Sequence, residues 1–394
     1  MKYVLVVPDG MADDPVAELG GRTPLMVAET PCLDAITAAG VLGRVRTIPE
    51  AMPPGSDVAA LSIMGYDPAR CYTGRAPLEA ASQEIPLAPS DVAFRCNLVT
   101  VADDQMLDHS GGEITSEEAA EIIASLNEHL GSDAIQFHPG VSYRNLMVWH
   151  DGPAGGETTP PHDILGQPFT PHLPRGEGAE TLRRLMEQSR PLLEAHPANR
   201  RRQAEGKRPA NLIWLWGQGH APQLGNFAAA HHVSGAVISA VDLLRGIARL
   251  AGLQVIRVPG ATGQLDTNWA GKRAAAISAL QQVEFVMIHL EAPDECGHKG
   301  DREGKIRAIE LTDREIIGPV WEAAQAHGPA RILVLPDHYT PLSVRTHVGK
   351  PVPFALAGAG IAPDRATRLD EATAEESSLY IDQGWRLIDR LLGA

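Results

Sequence analysis

Cysteine is scarce in this chain, and its scarcity excludes two classes of site. The 394 residues contain 4 cysteines, at positions 32, 71, 96 and 296, and no two of them form a Cys-x-x-Cys pair. A disulfide framework and a thiolate zinc site are therefore not supported. The sequence also has no apolar run long enough to cross a membrane and no recognisable signal peptide. We therefore expect a cytoplasmic protein with no membrane-spanning segment.

Positive charge is also in short supply. The chain has 34 lysines and arginines against 49 aspartates and glutamates, which gives a formal net charge of −15. Such a surface repels nucleic-acid phosphates and anionic lipids, so neither a nucleic acid nor a membrane is expected as a partner. A small phosphorylated metabolite would need positive charge supplied locally, by arginines or metal ions. No heptad pattern indicates an oligomeric state, which the sequence leaves unknown.

Polar side chains follow three apolar runs that lie far apart in the chain. Each run has the length and the unbroken hydrophobicity of a buried parallel strand. Ligands of open α/β sheets gather at the carboxyl ends of the strands, so side chains that follow distant runs can meet at one edge. The runs and the polar residues after them are Tyr3 to Val7 before Asp9, Phe285 to Leu290 before Asp294 and His298, and Ile332 to Leu335 before Asp337 and His338.

Two positions near the amino terminus suit phosphoryl transfer. Asp9 could place a carboxylate on a metal while Gly10 allows a close turn, although a simple Asp-Gly turn is the alternative. Ser56 follows Gly55 at a predicted helix start, where free backbone N–H groups and the helix dipole favour a phosphate. An ordinary serine N-cap is the alternative for Ser56, so neither position is decisive alone.

The two later clusters have the composition of metal ligands. Asp294 and His298 are four residues apart and lie on one side of a helical turn, although a polar surface loop explains this pair about equally well. Asp337 and His338 follow a strand directly, and His347 is close enough in sequence to return to the same place. A capping aspartate beside a hydrogen-bonded histidine is the alternative, but all clusters counted together favour the ligand interpretation.

Together the clusters supply three carboxylates, three imidazoles and a hydroxyl, which is enough for two divalent metal ions. Two cations roughly 3.5–4 Å apart can activate a nucleophile and neutralise a phosphoryl group in transit. A cation beside Ser56 would also keep its hydroxyl deprotonated near neutral pH. Mixed imidazole and carboxylate donors suit Mn²⁺, Zn²⁺ or Co²⁺, and they suit Mg²⁺ less well because it avoids nitrogen. Mn²⁺ is the metal that we expect, with Zn²⁺, Co²⁺ and Mg²⁺ as alternatives. The pattern therefore predicts a two-metal phosphoryl-transfer enzyme with a serine nucleophile.

The positions of these clusters predict a discontinuous catalytic domain. Asp9 and Ser56 come early, whereas the other clusters come only after residue 290. We therefore assign residues 1–72 and 206–394 to an α/β metal-binding domain and residues 73–205 to an inserted α+β cap domain that holds substrate.

The predicted elements follow from hydrophobic periodicity and helix capping. Strands that alternate with helices predict a mostly parallel sheet, and the segment between the two halves of the catalytic domain has its own strands and one clear helix. The predicted elements are parallel strands at 211–216, 254–258 and 285–290, cap-domain strands at 91–101 and 141–149, and a helix at 116–130 capped by Ser116.

Over nearly its whole length the chain resembles the archaeal-type cofactor-independent phosphoglycerate mutases of the alkaline phosphatase superfamily. The number of ordered sequence blocks makes this resemblance highly specific. The blocks are VVPDGMAD (6–13), PPGSDVAALSIMGYDP (53–68), YTGRAPLEAA (72–81), AFRCNLVT (93–100), GVSYRNLMV (140–148), PHDILG (161–166), ANLIWLWGQG (210–219), SAVDLLRGIA (239–248), PGATG (259–263), HLEAPDECGHKGD (289–301) and LPDHYTP (335–341).

The resemblance implies a fold and a metal centre. The implied fold is an alkaline-phosphatase-like mostly parallel sheet with helices on both faces and an inserted cap. Ser56 is implied to be the serine that is transiently phosphorylated while it transfers the phosphoryl group of 3-phosphoglycerate between the two glycerate hydroxyls. The implied ligands are Asp9, Ser56, Asp337 and His338 for one metal, and Asp294, His298 and His347 for the other.

Candidate substrate contacts come from the same blocks. The carboxylate and phosphate of the substrate need forked donors, which arginines provide, although a surface or interdomain ion pair is the commoner fate of an arginine. A mutase must also exclude water from the phosphoryl group. This requirement explains the presence of a cap domain better than a hydrolytic function would. The candidates are Arg75, Arg95 and Arg144, followed by His162, Asp163 and Lys272.

One departure from the mutase pattern leaves alternatives open. The sequence around the last proposed ligand is Arg345-Thr346-His347-Val348, whereas the mutases are expected to have Lys-Thr-His-Ser there. In this respect the chain resembles a bacterial branch of the family that has been proposed to act as homoserine kinase. No GxxxxGK[ST] loop supports a nucleotide donor, because Gly271-Lys272 is followed by Arg273. A metal-dependent phosphomonoesterase is a third interpretation, and a non-catalytic binding protein is disfavoured because every expected ligand type is present.

Overall fold

Residues 1–393 are described by a computed structural model, and they fall into two compact units. The first unit comprises Met1–Tyr72 and Gln223–Ala394, and the second comprises Thr73–Pro222. The second unit thus begins at the predicted residue but ends at Pro222 and not at residue 205. Among the described residues, no helix has both the length and the hydrophobicity that crossing a bilayer requires.

Strands and helices alternate through much of the chain. The strands are β1 (Lys2–Pro8), β2 (Gly40–Val45), β3 (Val92–Ala102), β4 (Gln105–Asp108), β5 (Ile135–Val141), β6 (Arg144–Trp149), β7 (Leu212–Gly219), β8 (Gly235–Ile238), β9 (Gln254–Ile256), β10 (Phe285–Leu290), β11 (Ala330–Val334), β12 (Val352–Gly358) and β13 (Tyr380–Ile381). The α-helices are α1 (Pro24–Val27), α2 (Pro31–Ala38), α3 (Ser56–Ile63), α4 (Pro68–Cys71), α5 (Arg75–Ser82), α6 (Ser116–Leu130), α7 (Ala179–Ala195), α8 (Pro197–Ala204), α9 (Phe227–His231), α10 (Asp242–Leu250), α11 (Trp269–Leu280), α12 (Ala292–Lys299), α13 (Arg302–Leu311), α14 (Gly318–Ala326), α15 (Glu371–Glu375) and α16 (Leu387–Leu392). Short 3₁₀ turns occur at Ala17–Leu19, Pro161–Ile164, Thr170–His172 and Gly384–Arg386, and a π-helical segment at Thr312–Ile317 joins α13 to α14.

The first unit is built on an eight-stranded sheet with the order β13-β2-β12-β11-β1-β10-β8-β9. The strands from β11 to β9 run parallel, and β12 is antiparallel to both of its neighbours. Val4 of β1 lies opposite Val286 of β10 and Ile332 of β11, so these three strands end close to one another. The predicted α/β class with a mostly parallel sheet is confirmed.

The central strands owe their position to continuous hydrophobicity. Every residue of β10 is buried, as is every residue of β1 after Lys2, so both faces of the sheet centre are covered. Strands of this composition are stable only where helices pack on both sides, which is the arrangement that crossover connections produce. Polar residues that follow these strands therefore sit at the edge of a rigid and fully buried scaffold.

The second unit contains an antiparallel sheet. Its longest strand, β3, pairs with β6, with β7 and, near its carboxyl end, with β4, while β5 pairs with β6. The core between this sheet and helices α6 and α7 includes Phe94, Ile122, Leu185 and Trp214.

The prediction of a parallel strand at 211–216 is wrong. These residues belong to β7, in which Leu215 lies opposite Cys96 of the antiparallel partner β3. An apolar strand buried on both faces has the same composition in either kind of sheet, so the pattern does not reveal the partner. This pairing also explains why the second unit extends to Pro222, beyond the predicted boundary.

The predicted helix at 116–130 is present, but its cap is Thr115 and not Ser116. The Thr115 hydroxyl accepts a hydrogen bond from the Glu118 backbone N–H at 3.2 Å, and the Glu118 carboxylate accepts one from the Thr115 N–H at 3.0 Å. This reciprocal pair is a capping box, which satisfies two backbone donors that the helix itself leaves free.

Candidate metal centre

Three carboxylates converge at the carboxyl ends of β1, β10 and β11. Asp9 follows β1, Asp294 lies in the first turn of α12 after β10, and Asp337 follows β11. Their exposed fractions are 1%, 5% and 2%, so all three are buried. Because the three strands are direct neighbours in the sheet, residues more than 280 positions apart in sequence meet at one edge.

Gly10 allows this close approach. Its φ of +59° lies in the left-handed region, and its N–H donates a hydrogen bond to Asp337 Oδ1 at 3.0 Å. A Cβ atom at this position would lie only 2.6 Å from Asp294 Oδ1. Glycine is therefore required both by the backbone conformation and by the lack of space.

Ser56 and His338 join the Asp9 side of the centre. Ser56 is the first residue of α3, and its Oγ lies 3.1 Å from Nε2 of the fully buried His338. The same nitrogen lies 3.5 Å from Asp9 Oδ1 and 3.3 Å from Asp337 Oδ2. A hydroxyl, an imidazole and two carboxylates thus present their donor atoms to one small space, at the positive end of a helix dipole.

Asp294, His298 and His347 form the other side. His298 Nε2 lies 3.2 Å from Asp294 Oδ2 and 3.0 Å from His347 Nε2, and His347 Nε2 lies 3.6 Å from Asp294 Oδ1. The Thr340 hydroxyl donates a hydrogen bond to Asp294. The four-residue spacing in α12 brings Asp294 and His298 to one side of the helix, and the loop after β11 supplies His347.

The electrostatics of this cluster favour a bound cation. Burial and repulsion from Asp337 and Asp294 raise the pKa of Asp9 well above its ordinary value. The hydrogen bond with Asp294 raises the pKa of His298 to about 9. Although burial acts in the opposite direction, hydrogen bonds with His298 and His347 lower the pKa of Asp294 well below its ordinary value. A cation would relieve the repulsion among the buried carboxylates.

The donor atoms fit divalent metal ions. In the part of the chain that the structure describes, three triads each have donor atoms that lie within 4.8 Å of one another, and Asp9 Oδ1 is buried with no hydrogen-bond partner. Mixed carboxylate and imidazole donors of this kind suit divalent cations. The triads are Asp294, His298 and His347; Asp9, His289 and Asp337; and Asp9, Asp294 and His338.

His289 belongs to this centre although the sequence patterns did not single it out. It lies within β10 with 1% exposure, and its Nε2 is 3.0 Å from Asp9 Oδ2. One sequence feature could have identified His289: it is a histidine inside an otherwise apolar strand, and a buried imidazole needs a polar partner.

A buried ionic network lies behind the metal centre. Lys305 Nζ is fully buried and donates to Asp13 Oδ2 at 2.7 Å and to the Thr340 carbonyl oxygen at 2.8 Å. Glu371 accepts hydrogen bonds from the Asp13 N–H at 2.9 Å and from the Thr23 hydroxyl at 2.6 Å. This network links the segments that carry Asp13 and Thr340, and through them it supports the loops that carry the clustered carboxylates.

Glu371 gives the protein a predicted pH dependence of stability. Burial raises the pKa of Glu371 from 4.5 to about 7, so between these pH values the folded protein holds a proton that the unfolded chain does not. The contribution of Glu371 to the free energy of unfolding therefore falls as pH rises through this window, by about 3 kcal/mol. Urea unfolding of Glu371→Gln between pH 4.5 and 7 should show a correspondingly flatter pH dependence than the parent protein.

Glu375→Gln is the matched control for this measurement. It changes a carboxylate on the same helix α15 whose side chain is 66% exposed and pairs with Arg44. An unchanged slope in Glu371→Gln would show that Glu371 does not titrate in this range.

Arg75 and Arg95 meet at one glutamate in the second unit. Arg95 Nη1 donates to Glu79 Oε1 at 2.6 Å, and Arg75 Nε lies 3.6 Å from the same oxygen. Arg95 is 3% exposed, and its guanidinium carbon lies 5.0 Å from the centre of the Trp216 ring. Glu79 and Trp216, which the sequence patterns did not predict, therefore hold a buried guanidinium in a fixed orientation.

The other predicted contacts of the second unit lie nearby but are less enclosed. The His162 ring lies 5.4 Å from the Trp216 ring, and its Nε2 is 3.7 Å from Asp163 Oδ1. Burial lowers the pKa of His162. Arg144 is exposed, with its guanidinium carbon 5.3 Å from the Tyr143 ring centre.

Lys272 does not belong to this group, because it lies in the first unit on α11. It is 1% exposed, and its Nζ is 3.5 Å from the Thr262 carbonyl oxygen. Burial lowers the pKa of Lys272 to about 8, against the opposing effect of the negative charge of Glu291. Burial lowers the pKa of His289 to about 4, and the positive charge of Lys272 acts in the same direction.

Comparison with known sequences identifies close relatives along the whole chain. The profile of the family described as 2,3-bisphosphoglycerate-independent phosphoglycerate mutase matches residues 37–199. A protein of that name from Methanothrix thermoacetophila is 55% identical over 393 residues, with 100% of both chains covered. One named as a probable 2,3-bisphosphoglycerate-independent phosphoglycerate mutase from Geobacter sulfurreducens is 50% identical, again with 100% of both chains covered.

Two solved structures have the same fold. The PH0037 protein from Pyrococcus horikoshii is 31% identical with a TM-score of 0.84, and the match covers 100% of this chain and 98% of that one. A cofactor-independent phosphoglycerate mutase from Thermoplasma acidophilum is 27% identical with a TM-score of 0.68, and the match covers 100% and 99% of the two chains.

Proposed function

The chain belongs to the 2,3-bisphosphoglycerate-independent phosphoglycerate mutase family, and from this premise we propose that it interconverts 3-phosphoglycerate and 2-phosphoglycerate through a phosphoserine at Ser56. The observation that carries the proposal is the position of Ser56 Oγ at the start of α3, 3.1 Å from His338 Nε2 and beside the clustered carboxylates. A serine in this position can both receive a phosphoryl group and return it.

The proposed reaction is two phosphoryl transfers in opposite directions. The Ser56 oxygen bonds to phosphorus while the bond from phosphorus to the C3 oxygen of the substrate breaks, and that oxygen takes up the proton that Ser56 gives up. The C2 hydroxyl of the resulting glycerate then attacks the phosphoserine, loses its proton, and the Ser56 oxygen leaves and is reprotonated. Neither water nor a nucleotide is consumed, so the centre must keep water from the phosphoserine.

We propose that the clustered side chains hold two divalent cations. The first ion would bind to Asp9, Ser56, Asp337 and His338, and the second to Asp294, His298 and His347. When bound, such ions lower the pKa of a coordinated hydroxyl and offset the charge on phosphoryl oxygens. The donors combine imidazole nitrogen with carboxylate oxygen, a set that suits Mn²⁺, Zn²⁺ and Co²⁺ better than Mg²⁺. Mn²⁺ is the proposed metal, with Zn²⁺ and Co²⁺ as alternatives.

The second unit is proposed to bind the anionic groups of the substrate. Arg75, Arg95 and Arg144 offer forked N–H donors that match a carboxylate or a phosphate. Glu79 and Trp216 fix Arg95 before any ligand arrives, which reduces the entropy that binding would cost. His162 and Asp163 are proposed as further contacts from this unit. Lys272, in the first unit, is proposed to neutralise a phosphoryl oxygen.

Arg75→Ala tests the proposed anion contact. Arg75 has a side chain that is 40% exposed, so its removal should leave the fold intact while raising KM for 3-phosphoglycerate or lowering kcat/KM by about tenfold or more. Steady-state kinetics of the purified variant measure this change. Arg201→Ala is the control, because Arg201 is a 52% exposed arginine of the same unit that pairs with Glu121. Equal kcat/KM values in the two variants would exclude Arg75 from substrate binding.

Phosphorus NMR tests the proposed activity directly. Metal-loaded protein is given 3-phosphoglycerate in one tube and homoserine with ATP in another. We expect 2-phosphoglycerate in the first tube without free phosphate and no O-phosphohomoserine in the second. O-phosphohomoserine in the second tube, with no 2-phosphoglycerate in the first, would identify the protein as a homoserine kinase. Steady release of phosphate would identify it as a phosphomonoesterase. The mutase names of relatives at 50–55% identity support the first outcome.

We also propose a cytoplasmic location. Cys32, Cys71, Cys96 and Cys296 are free thiols, which is the usual state of cysteine in a reducing compartment.

A further inference from the structure

His289 is a buried imidazole whose Nε2 faces the metal centre. It lies near the carboxyl end of β10, opposite Val7 of β1 in the parallel register and two residues from Asp9 along that neighbouring strand. It is 1% exposed, and its Nε2 is 3.0 Å from Asp9 Oδ2. The donor atoms of Asp9, His289 and Asp337 all lie within 4.8 Å of one another.

Among residues 1–393, the Nε2 atom has no hydrogen-bond partner despite this short distance to Asp9. Asp9 Oδ1 is likewise buried, and no described residue forms a hydrogen bond with it. On the other side of the ring, Nδ1 lies 3.3 Å from the Ser239 hydroxyl, which itself accepts a hydrogen bond from the Val241 N–H. The ring is thus anchored through Nδ1, and its Nε2 is left directed towards two carboxylates.

Leaving a buried imidazole nitrogen and a buried carboxylate oxygen unsatisfied is costly, and proteins rarely do so without a ligand. A cation satisfies both groups at once, because each offers a lone pair. The contact between Nδ1 and a hydroxyl is the usual arrangement behind a metal-bound histidine, since it fixes the tautomer and the ring orientation.

We infer that His289 is an additional nitrogen ligand of the cation held by Asp9 and Asp337. The two-metal centre then has four imidazole ligands: His289 and His338 for one ion, and His298 and His347 for the other. Two nitrogen donors at each ion would discriminate against Mg²⁺ at both positions. This inference rests on the proposed metal-dependent function, but metal binding is measured without turnover. A chain that binds cations through His289 and does not isomerise phosphoglycerate would refute only the proposed activity.

Cadmium NMR of the unsubstituted protein counts the ligands. Protein labelled with ¹⁵N-histidine is loaded with ¹¹³Cd²⁺, and each imidazole nitrogen bound to the metal is split by direct ¹¹³Cd–¹⁵N coupling. Four coupled nitrogens are expected among the 15 histidines, and three or fewer would overturn the inference. Because this count uses the parent sequence, it does not depend on whether any variant folds.

His289→Gln assigns the fourth nitrogen. The variant should lose one of the four couplings, and calorimetric titration with Mn²⁺ should show one of two sites weakened more than about tenfold, since even groups that only orient a ligand contribute that much. His231→Gln is the control, because His231 is a partly buried histidine of the same unit outside the three triads. It should keep both sites and all four couplings.

Two results in the variant contradict the inference. Retention of four couplings in folded His289→Gln would assign the fourth nitrogen to another histidine. Weaker Mn²⁺ binding with the same number of couplings as the parent protein would mean that His289 orients Asp9 without binding the metal. Circular dichroism of each variant establishes that it is folded before the couplings are counted.

Discussion

Replacing Ser56 by alanine is expected to lower kcat for phosphoglycerate isomerisation by at least about 10⁴-fold. The proposed reaction has no route that avoids a bond between phosphorus and Ser56 Oγ, and loss of a nucleophile removes that whole path. Ser56 is only partly buried at the start of α3, and Gly55 already precedes it as the N-cap, so the variant should fold normally. Isomerisation rates and mass spectrometry of the quenched reaction measure the effect. The phosphorylated peptide should be seen in the parent protein and be absent from the variant.

Ser62→Ala is the matched control on the same helix. Ser62 is fully buried, and its Oγ has no hydrogen-bond partner among the described residues, so the change removes a hydroxyl without breaking a described hydrogen bond. Its activity should stay close to that of the parent protein. Substantial isomerisation by Ser56→Ala, or a phosphate found on another residue, would disprove the proposed nucleophile.

Replacing Asp294 by asparagine is expected to remove one bound cation and to lower kcat by about 10³-fold or more. Asp294 is buried and contacts His298 and His347, so a neutral amide of the same shape removes a charged ligand while the packing is preserved. A carboxylate is a far better ligand for a divalent ion than an amide, and loss of an ion takes away the charge compensation of phosphoryl transfer. Elemental analysis after dialysis gives the metal content per chain.

Glu295→Gln provides the comparison for this variant. Glu295 is the next residue of α12, it pairs with Lys299 at 3.3 Å, and it lies outside the three triads of possible ligands. Its metal content and rate should match those of the parent protein. Two ions per chain in Asp294→Asn would remove Asp294 from the ligand set. His298→Ala or His347→Ala should also lower the metal content.

Much of the first unit could be predicted because its central strands are continuously hydrophobic. The runs before Asp9, Asp294 and Asp337 became β1, β10 and β11, which lie side by side in the sheet. A strand buried on both faces needs this composition whatever surrounds it, so the local pattern carries the information. The polar residues that end each run were visible for the same reason, because they interrupt an otherwise uniform signal.

The limits of that pattern appear in β7 and at the boundary of the second unit. The apolar residues of β7 suit a parallel or an antiparallel sheet equally well, and only pairing with β3 assigns them to the second unit. The sequence predicts Ser116 as the cap of α6, whereas the structure has Thr115 in that position. Serine and threonine both suit an N-cap, and the backbone conformation decides which residue occupies it.

The candidate site shows the same division between local pattern and tertiary contact. Five of the seven proposed ligands stand out in sequence as polar residues after a strand or at a helix start, and His298 and His347 stand out by their spacing from Asp294 and His338. His289 does not, because it lies inside an apolar strand, and only the packing of β10 against β1 reveals that its Nε2 faces Asp9. Glu79 is similarly hidden among ordinary helix residues until its contact with Arg95 is seen.

The sequence by itself determined the class of this protein: the buried parallel strands, the acidic and imidazole residues that follow them, the serine at a helix start and the family to which these patterns belong. Those features depend on local composition and spacing, which a linear chain displays directly. Only the tertiary structure decided which strands pair, where the second unit ends, that Lys272 belongs to the first unit, and that His289 Nε2 faces Asp9. These outcomes depend on contacts between residues distant in sequence, and several local patterns are compatible with more than one such contact.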